Sequence, residues 1–161
     1  MYVTMVIRVL FCAMLALAVQ GARADEWAPT EDDKRVVPEV AKRFLAHKDA
    51  VGGAAAYAMF SQAFRDKVPF EGWNARLVTF GKMAGAVRER RLVQITWFND
   101  PPQAPVPGTY AALQFHGSFE HIPQHLENVI LHRARGSEEF LVLRNEVDFA
   151  PPKRRPGAGK K

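Results

Sequence analysis

A single cysteine, Cys12, occurs in 161 residues, and it lies in an apolar segment near the N-terminus. Once that segment is cleaved, disulfides, thiol nucleophiles and cysteine metal sites are all excluded. Phosphate-cradling loops are missing as well: Gly52-Gly53 runs into alanines and not into Lys-Ser/Thr. Neither Ser61 nor Ser118 has the nucleophile-elbow setting of a serine hydrolase. No internal repeat is present. The uncharged stretch from Val9 to Ala22 is 14 residues, short of the roughly 20 that cross a bilayer as a helix. With 48% hydrophobic and 24% charged residues, the chain is too apolar for a disordered one and has the length of one domain.

The two ends account for the basic character. Residues 1–24 hold Arg8 and Arg23 and no acid, and residues 150–161 hold five basic side chains and no acid. Between them stand 15 basic and 17 acidic residues, so the body is mildly acidic and makes no case for nucleic acid. Arg8, the run VLFCAMLALAV and the small residues Ala22 and Ala24 read as a signal peptide cleaved before Asp25. An uncleaved anchor would carry Arg8 mid-membrane, at a cost of about 2.5–3.5 kcal/mol. Leu10-Phe11 before Cys12 is wrong for a lipoprotein. The expected organisation is a cleaved signal over 1–24, one domain over 25–149 and a disordered basic tail over 150–161, in a periplasmic or secreted protein. The tail's charge suits weak, salt-sensitive attraction to anionic surfaces.

Thr30 and Asp33 form a capping-box pattern ahead of Val37, Val40, Ala41, Phe44 and Leu45, the apolar face of a first helix ending near Lys48. Pro38 falls at or near its first turn. Asp49 is read as the cap of a second helix running to about Phe64, and Pro69 opens a third that Gly85 stops. The period then changes. Val93, Ile95 and Trp97 alternate as a first strand, and four prolines between Asn99 and Gly108 force a loop. Leu113, Phe115 and Phe119 share one face of a second strand, with Tyr110, Gln114, His116 and Ser118 on the other. Leu126–Arg133 and Phe140–Phe149 are two more strands. The fold class is α+β: three N-terminal helices packed on a curved four-stranded antiparallel sheet.

Phe44-Leu45, Asp49, Ser61, Phe64-Arg65, Val68, Trp73, Leu77, Gly85-Ala86-Val87 and Arg90 occur in an order that continues with Pro107-Gly108, Tyr110, Phe115, Phe119, Glu127, Val129 and Leu131. In these the chain resembles a secreted bacterial family, domain of unknown function 4019. The last strand departs from that pattern, since Phe140 and Arg144-Asn145 stand where a Trp and a Gly-Tyr pair are expected. The resemblance implies a cone similar to nuclear transport factor two and ketosteroid isomerase, also called cystatin-like, and implies no activity.

Four polar residues are candidates for a pocket or for structural duty: Arg90, Glu127, Tyr110 and His116. Arg90 and Glu127 sit at strand starts among apolar residues, where an ion pair can fix strand register. An arginine partner lowers a carboxylate's pKa, which disfavours Glu127 as a general base. His121 and His125 have the spacing of a helical metal pair, but Pro123 between them argues for a turn, so no metal and no cofactor is expected. The expected role is a non-catalytic module that binds a small molecule or an envelope protein, with a homodimer admitted. The alternative is a small isomerase or dehydratase without a cofactor. It would require His116, Tyr110 and Glu127 in mutual reach around one pocket.

Overall fold

The computed structural model describes residues 27–50 and 52–149. The expected signal segment and the expected tail lie outside the described residues. Helix α1 spans Glu31–Asp49 and begins with the full capping box: Asp33 N donates to the Thr30 hydroxyl at 3.1 Å, and Thr30 N donates back to the Asp33 carboxylate at 3.2 Å. Three acids in the first turn and two basic residues in the last complement the helix dipole. Pro38 sits inside the helix, beyond its first turn. The stripe from Val37 to Leu45 is buried, as its spacing requires.

One predicted helix is in fact two. The stretch expected to run from Asp49 to Phe64 divides into α2 (Ala54–Ala58) and α3 (Gln62–Arg65). Asp49 closes α1 and caps nothing after it; Gly53, with φ of 59°, stands at the N-cap of α2. The break has a tertiary cause. Ser61 N donates to Val142 O at 2.8 Å and Val142 N donates to Met59 O at 2.9 Å, so Phe60 joins the sheet as a bridge residue. Ser61 then caps α3. Helix α4 spans Phe70–Ala84 between Pro69 and Gly85, whose φ of 76° ends it.

Strands β1 (Val87–Asn99), β2 (Gly108–Phe119), β3 (His125–Ala134) and β4 (Leu141–Asp148) form an open antiparallel meander in sequence order. The helices precede the sheet and pack on one side of it. That inner face takes Leu113, Phe115, Val129, Leu131 and Val142 into the core with Phe44 and Phe60. Strand β1 departs from simple alternation. Its pairing with β2 slips between Leu92 and Gln94, so Leu92, Ile95 and Trp97 face the core while Val93 is 39% exposed. The proline loop closes where Asp100 N donates to Gly108 O and the Asp100 carboxylate accepts from Gly108 N.

Candidate functional site

Two ion pairs peg α1 along β3. At one end Arg133 forks onto Asp33, at 2.6 and 3.1 Å. At the other, Lys48 donates to Glu127, whose side chain is fully buried. Asp33 and Lys48 are 15 helical residues apart, a rise of about 22 Å, and Glu127 and Arg133 are separated by six strand residues, about 20 Å. The lengths match, so one register lets both pegs close.

The Glu127 end is the richer one. Arg90 reaches Glu127 Oε2 at 3.0 Å and forks onto Asp49 at 2.5 and 3.2 Å. Asn145 on β4 donates to Glu127 Oε1 at 3.1 Å and accepts from Lys48 at 3.2 Å. The side chains of Lys48 and Arg90 are only 5% and 12% exposed. Two cations and two carboxylates thus form one cluster, buried at Glu127 and Lys48 and open to solvent at Asp49. Burial alone would raise the Glu127 pKa, but the charges of Lys48 and Arg90, with hydrogen bonds from Lys48 and Asn145, outweigh it and hold the group below 4.5. A carboxylate so held is ionised and is a poor base.

Arg90 and Glu127 come together by a route that adjacent-strand pairing does not describe. Strand β2 lies between theirs, and the residue opposite Arg90 on it is Gly117, which pairs in turn with His125. Gly117 adds no side chain between them, and the guanidinium reaches across β2 to Glu127, two positions from His125. The His125 ring is buried, stacks on Phe119 at 4.3 Å between centroids, and stands 3.9 Å from Glu127 Oε2.

The other two candidates are elsewhere. Tyr110 and His116 point to the outer face of β2. Tyr110 donates to Val106 O at 2.5 Å and packs on His132, while His116 is exposed. Neither joins Glu127. The residues that sequence reasoning missed are Lys48, Asp49, His125 and Asn145. Lys48 did leave a signal, for it continues the buried stripe of α1 one turn beyond Phe44. His121 and His125 do not act as a pair, because the segment between β2 and β3 is a turn and His125 faces inward. Among the described residues no group of three His, Cys, Asp or Glu side chains is arranged to hold a metal ion.

A cleft of about 270 Å³ opens beside this cluster, between the end of α1, α4 and the start of β1. Leu77, Phe80 and Phe119 give it apolar walls, and Lys48, Asp49 and Asn74 its polar groups. A second cleft, about 330 Å³, lies at the hairpin end and is lined by Arg91, His116, Ser118 and Leu126.

The buried histidine gives the fold an acid-sensitive step. Burial, with repulsion from Arg90 and Lys48, holds His125 below 6.5 against the attraction of Glu127 and Asp49, and burial lowers His132 too. The unfolded chain therefore binds more protons below pH 6.5, so stability is level above that pH and falls beneath it. Asp33 and Glu127 are depressed carboxylates whose contribution is present above about pH 4.5 and is lost as pH falls through their folded values. Denaturant midpoints should thus decline in two stages, the first shallower in His125→Gln; a level profile from pH 7 to pH 5 would contradict this.

No curated protein and no solved structure matches the chain. The profile of a family described as a protein of unknown function, DUF4019, matches residues 40–141, a span that runs from within α1 to the first residue of β4 and takes in Lys48, Asp49, Arg90 and Glu127. The chain belongs to that family.

Proposed function

We propose that this is an exported bacterial envelope protein that holds a small, largely apolar molecule in the cleft between α1, α4 and β1 and performs no chemistry on it. The observation that carries the reading is the state of Glu127. The cleft's neighbouring carboxylate accepts from Lys48 and Asn145 at Oε1, faces the charge of Arg90 at Oε2 and is held ionised, which suits a scaffold and not proton transfer. An isomerase or dehydratase would draw on Tyr110 and His116 together with Glu127, and those two side chains belong to the opposite face of the sheet. The helices resting on a curved sheet are in keeping with a cone similar to nuclear transport factor two. Export rests on the N-terminal segment, and sequencing the protein from an envelope fraction should begin at Asp25; an intact Met1 or Met5 would refute it.

The binding test uses Gly81, which lines the cleft from α4 and where an added Cβ would meet nothing within 4 Å. N-phenyl-1-naphthylamine, a neutral apolar fluorophore, should bind the wild-type protein one to one. Gly81→Leu should fill the space and weaken that binding at least tenfold, while Gly81→Ala retains it. Both variants should melt no lower than wild type, since each is a better helix former than glycine. Wild-type protein that leaves the probe's emission unchanged, or a Gly81→Leu variant that binds normally, would overturn the reading.

A further inference from the structure

Among the described residues, the cleft between α1, α4 and β1 has three polar side chains on its walls, and two of them are committed. Lys48 donates to Glu127 and Asn145, and Asp49 accepts both contacts of Arg90. The charges of Lys48, Arg90, Glu127 and Asp49 cancel, so the cluster offers a ligand no surplus charge. Asn74 is the third. It shares the cleft-lining face of α4 with Leu77, Val78 and Gly81, at i, i+3, i+4 and i+7. Its Oδ1 is enclosed and has no hydrogen-bond partner, and its Nδ2 donates to no other described residue. The amide stands at the Gly52 end of the cleft, where a Cβ added to Gly53 would lie 2.9 Å from Oδ1.

An enclosed amide oxygen without a partner carries a desolvation cost that a bound group can relieve. With neither end bonded, the amide can turn over and present oxygen or nitrogen to the cleft. A carboxylate would satisfy only the nitrogen and an ammonium only the oxygen, and either brings a charge that the cleft does not balance. A hydroxyl donates and accepts, so it pairs with the amide in both orientations. Leu77, Phe80 and Phe119 are the apolar walls for the rest of such a molecule. Building on the binding role of this cleft, we propose that its ligand is a neutral, apolar alcohol and that Asn74 selects the hydroxyl.

Competition against N-phenyl-1-naphthylamine at neutral pH tests this with naphthalenes of similar size: 2-naphthalenemethanol, 2-ethylnaphthalene, 2-naphthoate and 2-naphthylmethylammonium. The alcohol should displace the fluorophore from the wild-type protein at concentrations about tenfold below those of either ion. Asn74→Leu removes the amide at similar volume. It should lower the ratio of alcohol affinity to 2-ethylnaphthalene affinity about tenfold, while the fluorophore still binds. The variant should melt no lower than wild type, since leucine is the better helix former. Should the new leucine crowd out the fluorophore, Asn74→Ala, which removes the amide and only adds space, is held to the same ratio. A wild-type protein that does not bind the fluorophore overturns the cleft reading as a whole. Fluorophore binding with an unchanged alcohol-to-hydrocarbon ratio in the variant, or displacement by an ion ahead of the alcohol, overturns this inference and leaves the cleft reading standing.

Discussion

Glu127→Gln should lower the melting temperature by roughly 12–20 °C, the equivalent of about 3–5 kcal/mol for breaking a buried ion pair from one side. The substitution keeps the shape and removes the charge. Arg90 survives that loss, since Asp49 still holds it by two contacts. Lys48 does not, because its side chain is 5% exposed and the amide oxygens left to accept from it, those of the substituted side chain and Asn145, carry no counter-charge. The sequence points to Arg90 as the partner of Glu127 and hence to Arg90→Met with Glu127→Leu as the rescuing pair. The geometry corrects that choice. The variant that combines Lys48→Met with Glu127→Leu should recover most of the stability, because it removes both charges of the inner pair and leaves Arg90 with Asp49. Arg90→Met with Glu127→Leu should stay well below it, with a buried ammonium and no carboxylate. Equal recovery by the two double variants, or a Glu127→Gln protein as stable as wild type, would show that the cluster does not hold α1 on the sheet.

That correction shows what kind of information the sequence carries. Periodicity finds α1, α4 and the strands because each buries one face, and a face repeats at fixed spacing. It finds Glu127 as well, as an acid among Leu126, Val129 and Leu131. It misreads Asp49, because an acid after a helix and before Gly-Gly looks like a cap, and only the fold reveals Arg90 forking onto it. It misses the break at Phe60 for a related reason: the backbone there hydrogen-bonds to Val142, some eighty residues on, and no local pattern registers such a partner. Val93 alternates correctly and still faces outward, since a bulge adds one residue to the count. Lys48 was legible in principle. A lysine on the buried stripe of a helix must find a counter-charge within the fold, and Glu127 is the carboxylate waiting there.

The second large effect is expected at Gly117, and it tests how the cluster is assembled. On the inner face of β2 the side chains run Leu113, Phe115, then nothing at Gly117, then Phe119. That gap has no conformational excuse, for Gly117 is not among the residues of positive φ. The reason is steric. A Cβ added there would lie 2.4 Å from the Glu89 backbone oxygen and 2.8 Å from the His125 ring. The ring alone can swing aside, but a backbone oxygen within a paired strand cannot yield without parting β1 from β2. Gly117→Ala should therefore cost about 3 kcal/mol or more, at the upper end of overpacking penalties. It should also uncouple Arg90 from Glu127 while Lys48 stays in place. The two effects separate in a double-variant comparison. Adding Arg90→Met to Gly117→Ala should cost much less than adding it to wild type, since the contact it removes is already lost. Full additivity of the two substitutions, or a Gly117→Ala protein of normal stability, would mean that Arg90 does not reach Glu127 through this gap.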